Sequence, residues 1–508
     1  PLLQPEKVSE LPLALTFNDA YRYVLQGEDT VNGVKCYVLD FDPKATASDK
    51  PLYSGRVFVS TSDYSAIRTV THQLNLQGEV QSVDETSDFS EVASPDGGSP
   101  MRFPTHTKGQ WIMRTFSRTT VLERETWLEE MTLDAPDFEA RKKAAFASPD
   151  VMVRDTDKGV RYLEKTKEGD RVVADTTKSS RLFGLAGVFY DSSLDYPLPL
   201  LGIYYLDLDF RKKHEQIQVF FGGILLGASF NEPRLFGTKI DLGADLFGIA
   251  IRSTDSYYVN GSEDKSLGVK SRSFQGNINF GAPVSSHLKL SATVGFTHRD
   301  FAAADETDPM FAIPSNHWVT RLQGRAIYDD AGWAITAQYA WNKRSEWTPW
   351  GLPGNPEYDP SKDEFRTYSV SVAKDFHLPK FRRIRTSLAY FGSSNTDRFS
   401  KYTFGFYGGT SLRGFRSNSL RAEETVIGKA GYGIVVGDAF RIEGIYEHAF
   451  VKDPVSGLDW ASFGGVGLSG QLPGPWSTIV QIDGGVPVVG RNRGQTGFSI
   501  NLVLLKIF

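Results

Sequence analysis

The chain has 508 residues, of which 40% are hydrophobic, 23% charged and 13% aromatic, with a formal net charge of -5. Its 34 Phe, 21 Tyr and 9 Trp supply too much burial for a disordered chain, and the acidic balance excludes a strongly basic nucleic-acid binder. Cys36 is the only cysteine, so neither an internal disulfide nor a cysteine zinc site can be assembled. A mean hydropathy of -0.29 would normally describe a soluble protein. That average cannot see a membrane β-barrel, whose strands are apolar only at alternate positions. A spanning helix needs about 20 mostly apolar residues. Gln216 to Asn231 is too short and carries polar groups, and Ala461 to Ile482 is broken by Pro473, Pro475 and repeated Gly. The opening PLLQPEK has no basic region followed by an apolar stretch, so a signal peptide is expected to be removed or to lie outside this sequence.

In chain order, residues 1–135 mix short strand-like runs with polar turns: Val34 to Phe41, Gly55 to Ser60 and Ser65 to Leu76. They predict a small mostly-β domain. Residues 136–180 follow, with one short helix in APDFEARKKAAF and a charged stretch from Asp150 to Ser180, carrying the turn signal KEGDR, that reads as a linker. From 181 to 508 the pattern becomes a period-two alternation in segments of about ten residues, the length at which a tilted strand crosses a bilayer.

In IYYLDLDF, Tyr204, Leu206, Leu208 and Phe210 share one face and Asp207 and Asp209 the other. Ile240, Leu242, Ala244 and Leu246 oppose Lys239, Asp241 and Asp245. Leu288, Leu290, Val294 and Phe296 oppose Lys289, Ser291 and Thr293, and Ile384, Leu388 and Tyr390 oppose Arg383, Arg385 and Ser387. The last segment sets Phe498, Ile500, Leu502, Leu504 and Phe508 against Gly497, Ser499 and Asn501. A soluble sandwich also alternates, but its strands are usually about 5 to 6 residues long, and the apolar faces here carry aromatics near their ends, as a membrane girdle does.

Connection lengths add independent support. Short turns at 281–287, 328–332, 377–383, 436–439 and 471–476 alternate with long loops at 251–267, 299–316, 344–363 and 393–427. Such alternation places turns on the periplasmic side and loops outside. The expected fold is all-β dominated: a transmembrane antiparallel barrel of about 16 strands, one of them hidden between Tyr162 and Ser192, preceded by a small periplasmic mostly-β domain.

The longest loop ends in GFYGGTSLRGFRSN, Gly405 to Asn418. This string resembles the loop-six signature of the BamA superfamily, of the bacterial surface antigen type, whose core is an Arg-Gly-aromatic triplet after a Phe-Tyr-x-Gly-Gly run. Arg413, Gly414 and Phe415 match the triplet, and Phe406, Tyr407, Gly408 and Gly409 match the run with its intervening residue missing. Five strand-like segments follow the loop, close to the family's number, and Phe498 and Phe508 resemble the aromatic C-terminal signal of outer-membrane barrels. The resemblance covers about residues 181–508. It implies a barrel that inserts or translocates proteins or lipids at a bacterial or organelle outer membrane, with no cofactor. Its implied partners are membrane lipid, a client polypeptide or lipoprotein, and periplasmic or outer-membrane subunits. It further implies a first and a last strand that pair imperfectly.

An arginine folded into a barrel lumen must meet a carboxylate, because an unpaired buried guanidinium is costly. In FRIEGIYEHAF, Ile442, Tyr446 and Phe450 take the lipid face while Arg441, Glu443 and Glu447 point inward. The resemblance gives the loop arginine an acidic partner in a Phe-x-Asp-x-Gly pattern. Glu447 in Ile-Tyr-Glu-His-Ala is similar to that position with the motif altered, and Glu443 is second. The N-terminal region departs from the family, since the β-α-α-β-β order of its periplasmic modules does not fit residues 1–135. The strings GEDTVNGVKCYVLDFDPK and LYSGRVFVSTSDYSAIRTVTHQL instead resemble LolA-like curved sheets that bind acyl chains or lipoproteins. There Val38, Phe41, Val57, Val59 and Ile67 could line an apolar concavity or form an ordinary core.

No catalytic signature stands out: the chain has no G-x-S-x-G elbow, P-loop or H-E-x-x-H. The eight His residues lack metal-ligand spacing. A non-enzymatic barrel is expected, without metal or nucleic acid. Two other readings stand beside client insertion: a passive channel or receptor, and lipid or lipoprotein delivery through the N-terminal domain.

Overall fold

The computed structural model describes residues 20–44, 52–74, 76, 80–92, 101–115, 118–128, 135–147, 152–156, 159–168, 171–173, 179–191, 197–259, 262–285, 287–330, 332–378, 382–405, 410–436, 440–474, 478–490 and 497–507. They fall into two units, Pro1–Ser179 and Ser180–Phe508.

In the first unit, seven strands follow one another as an antiparallel meander: β1 (Tyr21–Val31), β2 (Val34–Pro43), β3 (Leu52–Ser60), β4 (Ala66–Leu74), β5 (Val80–Val92), β6 (Met101–Thr115) and β7 (Arg118–Trp127). The first hairpin turns on Asn32 and Gly33, both at positive φ, the geometry that matches the twist of the strands it joins. Val31, Cys36, Val38, Phe58 and Ile67 pack into one buried cluster. The register places Val38 opposite Phe58 but Val57 opposite Leu39 and Val59 opposite Tyr37. Side chains alternate between faces, so Val38 lies on one face of the sheet and Phe41, Val57 and Val59 on the other. The five residues read as a possible concavity therefore do not line a single surface. Helix α1 (Phe138–Ala147) follows. The stretch read as a linker holds a small antiparallel sheet, β8 (Met152–Thr156), β9 (Gly159–Lys165) and β10 (Arg171–Val173).

The second unit is a closed antiparallel barrel. Its strands are β11 (Ser180–Asp191), β12 (Leu198–Phe210), β13 (Glu215–Phe221), β14 (Leu225–Glu232) and β15 (Asp241–Ile249, continued by Ser253–Asp255). Next come β16 (Val269–Pro283), β17 (Leu288–Ala303), β18 (His317–Asp330), β19 (Trp333–Arg344), β20 (Glu364–Leu378) and β21 (Arg382–Ser394). The last five are β22 (Glu424–Val436), β23 (Phe440–Asp453), β24 (Leu458–Gly474), β25 (Thr478–Val489) and β26 (Ser499–Ile507). Both parts of β15 pair with β16, so the barrel has sixteen strands. The strand expected between Tyr162 and Ser192 is β11.

The outer wall carries the apolar residues that period-two reading assigns to it. Leu246, Leu290, Phe296, Leu388, Ile442, Tyr446, Phe450, Ile500 and Leu502 are all exposed there. On β23 the exposed Phe440 and Phe450 are ten residues apart, roughly 33 Å along the strand, which at the usual barrel tilt spans an apolar band about 25 Å tall. Between them the lumenal side is polar. Lys289 and Asp241 form a buried pair at 3.2 Å, and Asn277 and Asn279 both donate to Asp245.

Two sequence expectations change. On β12 the outward residues are Leu201 and Ile203, while Tyr204 donates to Gln218 at 2.7 Å and Leu206 faces Gln218 in register. Tyr204 and Leu206 therefore line the lumen. A bulge between Asp207 and Phe210 then breaks the parity. The expected imperfect seam is also corrected: β11 and β26 pair continuously over nine residue pairs, from Phe183–Ile507 to Asp191–Ser499. Phe508 lies outside the described residues, and Phe498 sits on the outer wall against Tyr190 at 5.5 Å between ring centroids.

The register makes the seam testable. With Cys36→Ser as background, Ala186→Cys and Leu504→Cys face each other across it. Mild oxidation is expected to close a covalent loop that migrates differently after boiling and reverts on reduction, while unboiled protein keeps its faster mobility. Absence of the crosslink in the folded band would contradict the paired seam.

Candidate functional site

The loop joining β21 to β22 enters the lumen and its tip lies against the inner wall. The tip turns at Gly414, whose φ of 79° belongs to the left-handed region. A Cβ there would collide with the Val486 backbone, so both conformation and space require glycine. Arg413 meets Glu447 twice: its backbone N–H donates to Oε2 at 2.6 Å and its guanidinium to Oε1 at 2.7 Å. The guanidinium also reaches Asp483 at 3.4 Å, and Lys429 pairs with Glu447 at 3.2 Å. Two cations thus face two carboxylates. Glu447 is fully buried, and that arrangement is tolerable only because three donors, two of them cationic, compensate it. The Gly414 N–H donates to Ser499 Oγ at 3.3 Å, tying the tip to the last strand.

A track of glycines in the wall lets the tip approach so closely. A Cβ at Gly465 would strike the Arg413 carbonyl, one at Gly467 its side chain, and one at Gly485 would lie 2.8 Å from its Cβ. Phe415 drops from the tip into a buried cluster with Phe404, Leu412, Leu420, Ile427 and Phe463, meeting Phe463 edge-on at 6.1 Å. The tip is therefore fixed by an ion pair on one side and an aromatic anchor on the other.

Of the residues singled out from sequence, the structure brings Arg413, Gly414, Phe415 and Glu447 together. Gly408 and Gly409 lie outside the described residues, as do Phe406 and Tyr407. Glu443, the second partner considered for Arg413, instead faces Arg383 at 3.5 Å. It sits four residues before Glu447 on β23, two strand repeats and roughly 13 Å away. Sequence reasoning missed Asp483, Lys429 and Ser499. Their signal is inward parity: Asp483 lies opposite Ser469 and Asn501, and Lys429 opposite Glu447.

The root of the same loop is held by a second set of buried charges. Arg344 forms two 2.9 Å bonds with Asp397 and stacks on Trp347 at 3.7 Å. Asp255, on the extension of β15, accepts from Arg398 at 3.0 Å and Arg421 at 2.5 Å. Lys401 meets Asp453 at 2.8 Å, with Glu357 and Glu423 close by. Around these charges Val269, Phe301, Phe311, Trp347, Trp350 and Phe399 make an aromatic cluster. Asp255 lies about five register positions beyond the outward Phe274, roughly 16 Å farther along the tilted strand. Burial alone would push its carboxyl up, but Arg421 and Arg398 outweigh that and hold its pKa below the usual carboxylate value.

Two outcomes are expected. Gly467→Val, like Glu447→Gln, should release the tip while the barrel stays folded. A nitroxide at Ser411→Cys in the Cys36→Ser background would report this as a narrowed spectrum, and an unchanged spectrum would contradict the docking. Removing Glu447 is expected to weaken docking by about 3 kcal/mol. For the root, Asp255 has a folded pKa below its unfolded value of about 3.9, so its contribution is complete above that pH and is lost as pH falls through the folded value. The temperature at which the unboiled band disappears should be flat from about pH 7 to about pH 5 and fall only below about pH 4. Asp255→Asn should lower it throughout the flat range, because it leaves two buried guanidinium groups without their carboxylate, and the difference from wild type should shrink once acid protonates Asp255 itself.

Residues 223–440 match the Omp85 superfamily domain. No curated protein sequence matches the chain. Among solved structures, the chain is similar to BamA from Haemophilus ducreyi lacking POTRA domains 1–3, at 12% identity and a TM-score of 0.45, covering 75% of this chain and 79% of that one. It is also similar to CdiB from Acinetobacter baumannii at 8% identity and a TM-score of 0.45, covering 71% of this chain and 62% of that one. CdiB from Escherichia coli matches at 11% identity and a TM-score of 0.45, over 72% and 68%. The domain match runs from the start of β14 through β22 and includes the whole docked loop, so the part of the closed sixteen-stranded barrel that holds the site is similar to the Omp85 superfamily domain.

Proposed function

We propose that this barrel inserts or translocates a client polypeptide at the outer membrane, with loop 393–427 as an internal gate and without catalytic chemistry of its own. The observation that carries this reading is the docking of Arg413 on Glu447 and Asp483. A wide passive pore has no need of a loop whose tip is seated on a glycine track by a balanced set of charges. The tip and root are held by separate contacts, so the tip can leave the wall while Asp255, Asp397 and Asp453 keep the loop attached. The nine-pair seam offers no free strand edge in this state. A client strand that templates on β11 or β26 must first displace that pairing, whereas passage through the lumen requires only that the tip move.

Conductance in planar bilayers separates the gate from a plain channel. Wild type is expected to show low conductance with brief openings, and Arg413→Ala and Glu447→Gln longer and larger ones. Equal, steady conductance in all three would favour the passive channel. The activity itself is tested with proteoliposomes that contain the chain and receive a urea-unfolded barrel client. Protease-protected client should accumulate faster than in empty vesicles and severalfold more slowly with Arg413→Ala. Client yields no better than those of empty vesicles would end this reading.

A further inference from the structure

The lumenal wall is not uniform. Asn501 and Ser499 of β26 face the lumen, with Ser499 touching the loop tip, so Val503 shares their side. Register carries that side across the seam from Val503 to Gly187, hence to Leu185 and Phe183, and from Phe183 and Arg181 to Tyr204 and Leu206 on β12. The inner face beside the seam therefore presents Phe183, Leu185, Tyr204, Leu206 and Val503, each partly exposed. The rings of Phe183 and Tyr204 lie 5.5 Å apart. Across the barrel the inward residues are of the opposite kind, as at Gln323, Gln338, Ser369 and Ser387. The outer face of the same seam strands is apolar as well, through Leu182, Leu201, Ile203, Leu502 and Leu504. The wall is thus apolar on both sides here, although a lumen filled with water favours polar residues inside.

We propose that this inner strip beside the seam is a binding surface for the acyl chains of an anionic phospholipid. Two features select lipid. First, β11 is paired on both sides, with β12 and with β26, so the strip offers side-chain surface but no free backbone donors or acceptors. An extended polypeptide laid there would leave its own amides unpaired, whereas an acyl chain has none to satisfy. Second, Arg181 is exposed at the end of the strip where β11 begins, on the lumenal side, and the neighbouring turn adds the exposed Lys212 and Lys213, Arg211 beside them being paired with Glu215 at 2.8 Å. A phosphate headgroup fits that rim, with the tails running up the seven residues from Arg181 to Gly187, roughly 20 Å. The proposal stands on the barrel alone and goes beyond client transport.

Site-specific photocrosslinking of the full chain in vesicles of phosphatidylethanolamine and phosphatidylglycerol tests it. The aromatic photoprobe p-benzoylphenylalanine replaces Phe183, whose ring it keeps and extends, and in a second variant Leu185. Leu502 on the outer wall reports ordinary bilayer contact and Gln338 the opposite lumenal wall. Fast-migrating unboiled bands establish folding of each variant. The expected result is a phosphatidylglycerol adduct at Phe183 or Leu185 and at Leu502, with none at Gln338. Arg181→Glu should reduce the inner adduct severalfold and leave that at Leu502 unchanged. No lipid adduct at either inner position, equal labelling at Gln338, or an adduct with polypeptide in place of lipid would each overturn the proposal. Because no client is present, its failure would leave the gate reading intact, and failure of the client assay would leave the lipid site standing.

Discussion

The contact between Arg413 and Glu447 organises the interior of this barrel. A fully buried carboxylate is expensive unless its lone pairs are filled and its charge is met. Here one residue of the loop does both, through its backbone N–H and its guanidinium. That demand propagates outward. The tip must lie flat on the wall, so the wall beneath it is glycine. Side chains are absent at 465, 467 and 485 where they would strike Arg413. The last strand must also be in register, because Ser499 takes the Gly414 N–H. One ion pair thus couples loop, wall and barrel closure.

The root and the tip of the loop differ in kind. At the root, Arg344, Arg398, Arg421 and Lys401 are each almost wholly enclosed and tied to strands or loops from three parts of the barrel. At the tip Arg413 is about a quarter exposed and shares its partner with Lys429. Removing one member of an enclosed network strands several charges, while the partly solvated Arg413 can exchange its carboxylates for water at moderate cost and leave the buried Glu447 paired with Lys429. The same loop therefore has a fixed end and a releasable end. A gate needs that asymmetry, since a loop free at both ends would leave the lumen unguarded and one locked at both ends could not move.

Much of this was legible in the sequence because a barrel imposes a strict period of two. Where one face meets lipid and the other water, the alternation names both: Ile442, Tyr446 and Phe450 outside, Glu443 and Glu447 inside. The rule fails where its premise fails. On β12 both faces are apolar, and Tyr204, Leu206 and Leu208 make as good an outer face in sequence as Leu201 and Ile203, so the count could not choose between them. Asp483 was missed for a different reason: its role depends on β25 lying beside β24, and on a loop 70 residues earlier in the chain reaching it. Parity alone placed Glu443 and Glu447 on the same inner face, and it was the motif resemblance that put Glu447 first, where the loop tip meets it. The closed seam was hidden because pairing of the first and last strands depends on how the whole circumference closes.

The two-sided apolar character of the seam bears on how such a barrel can open. Separating β11 from β26 would expose nine residues of backbone on each strand, and within hydrocarbon each unpaired group costs several kcal/mol. The side chains at this place add no comparable barrier, since lipid entering between the strands would meet apolar residues on the inner face as it does on the outer. Along the polar wall, by contrast, opening would cost both backbone pairing and the solvation of inward glutamines, serines and charges. If the barrel opens laterally, the physics of its own wall selects the seam, and the backbone ladder held in register by Ser499 and the loop tip sets the resistance.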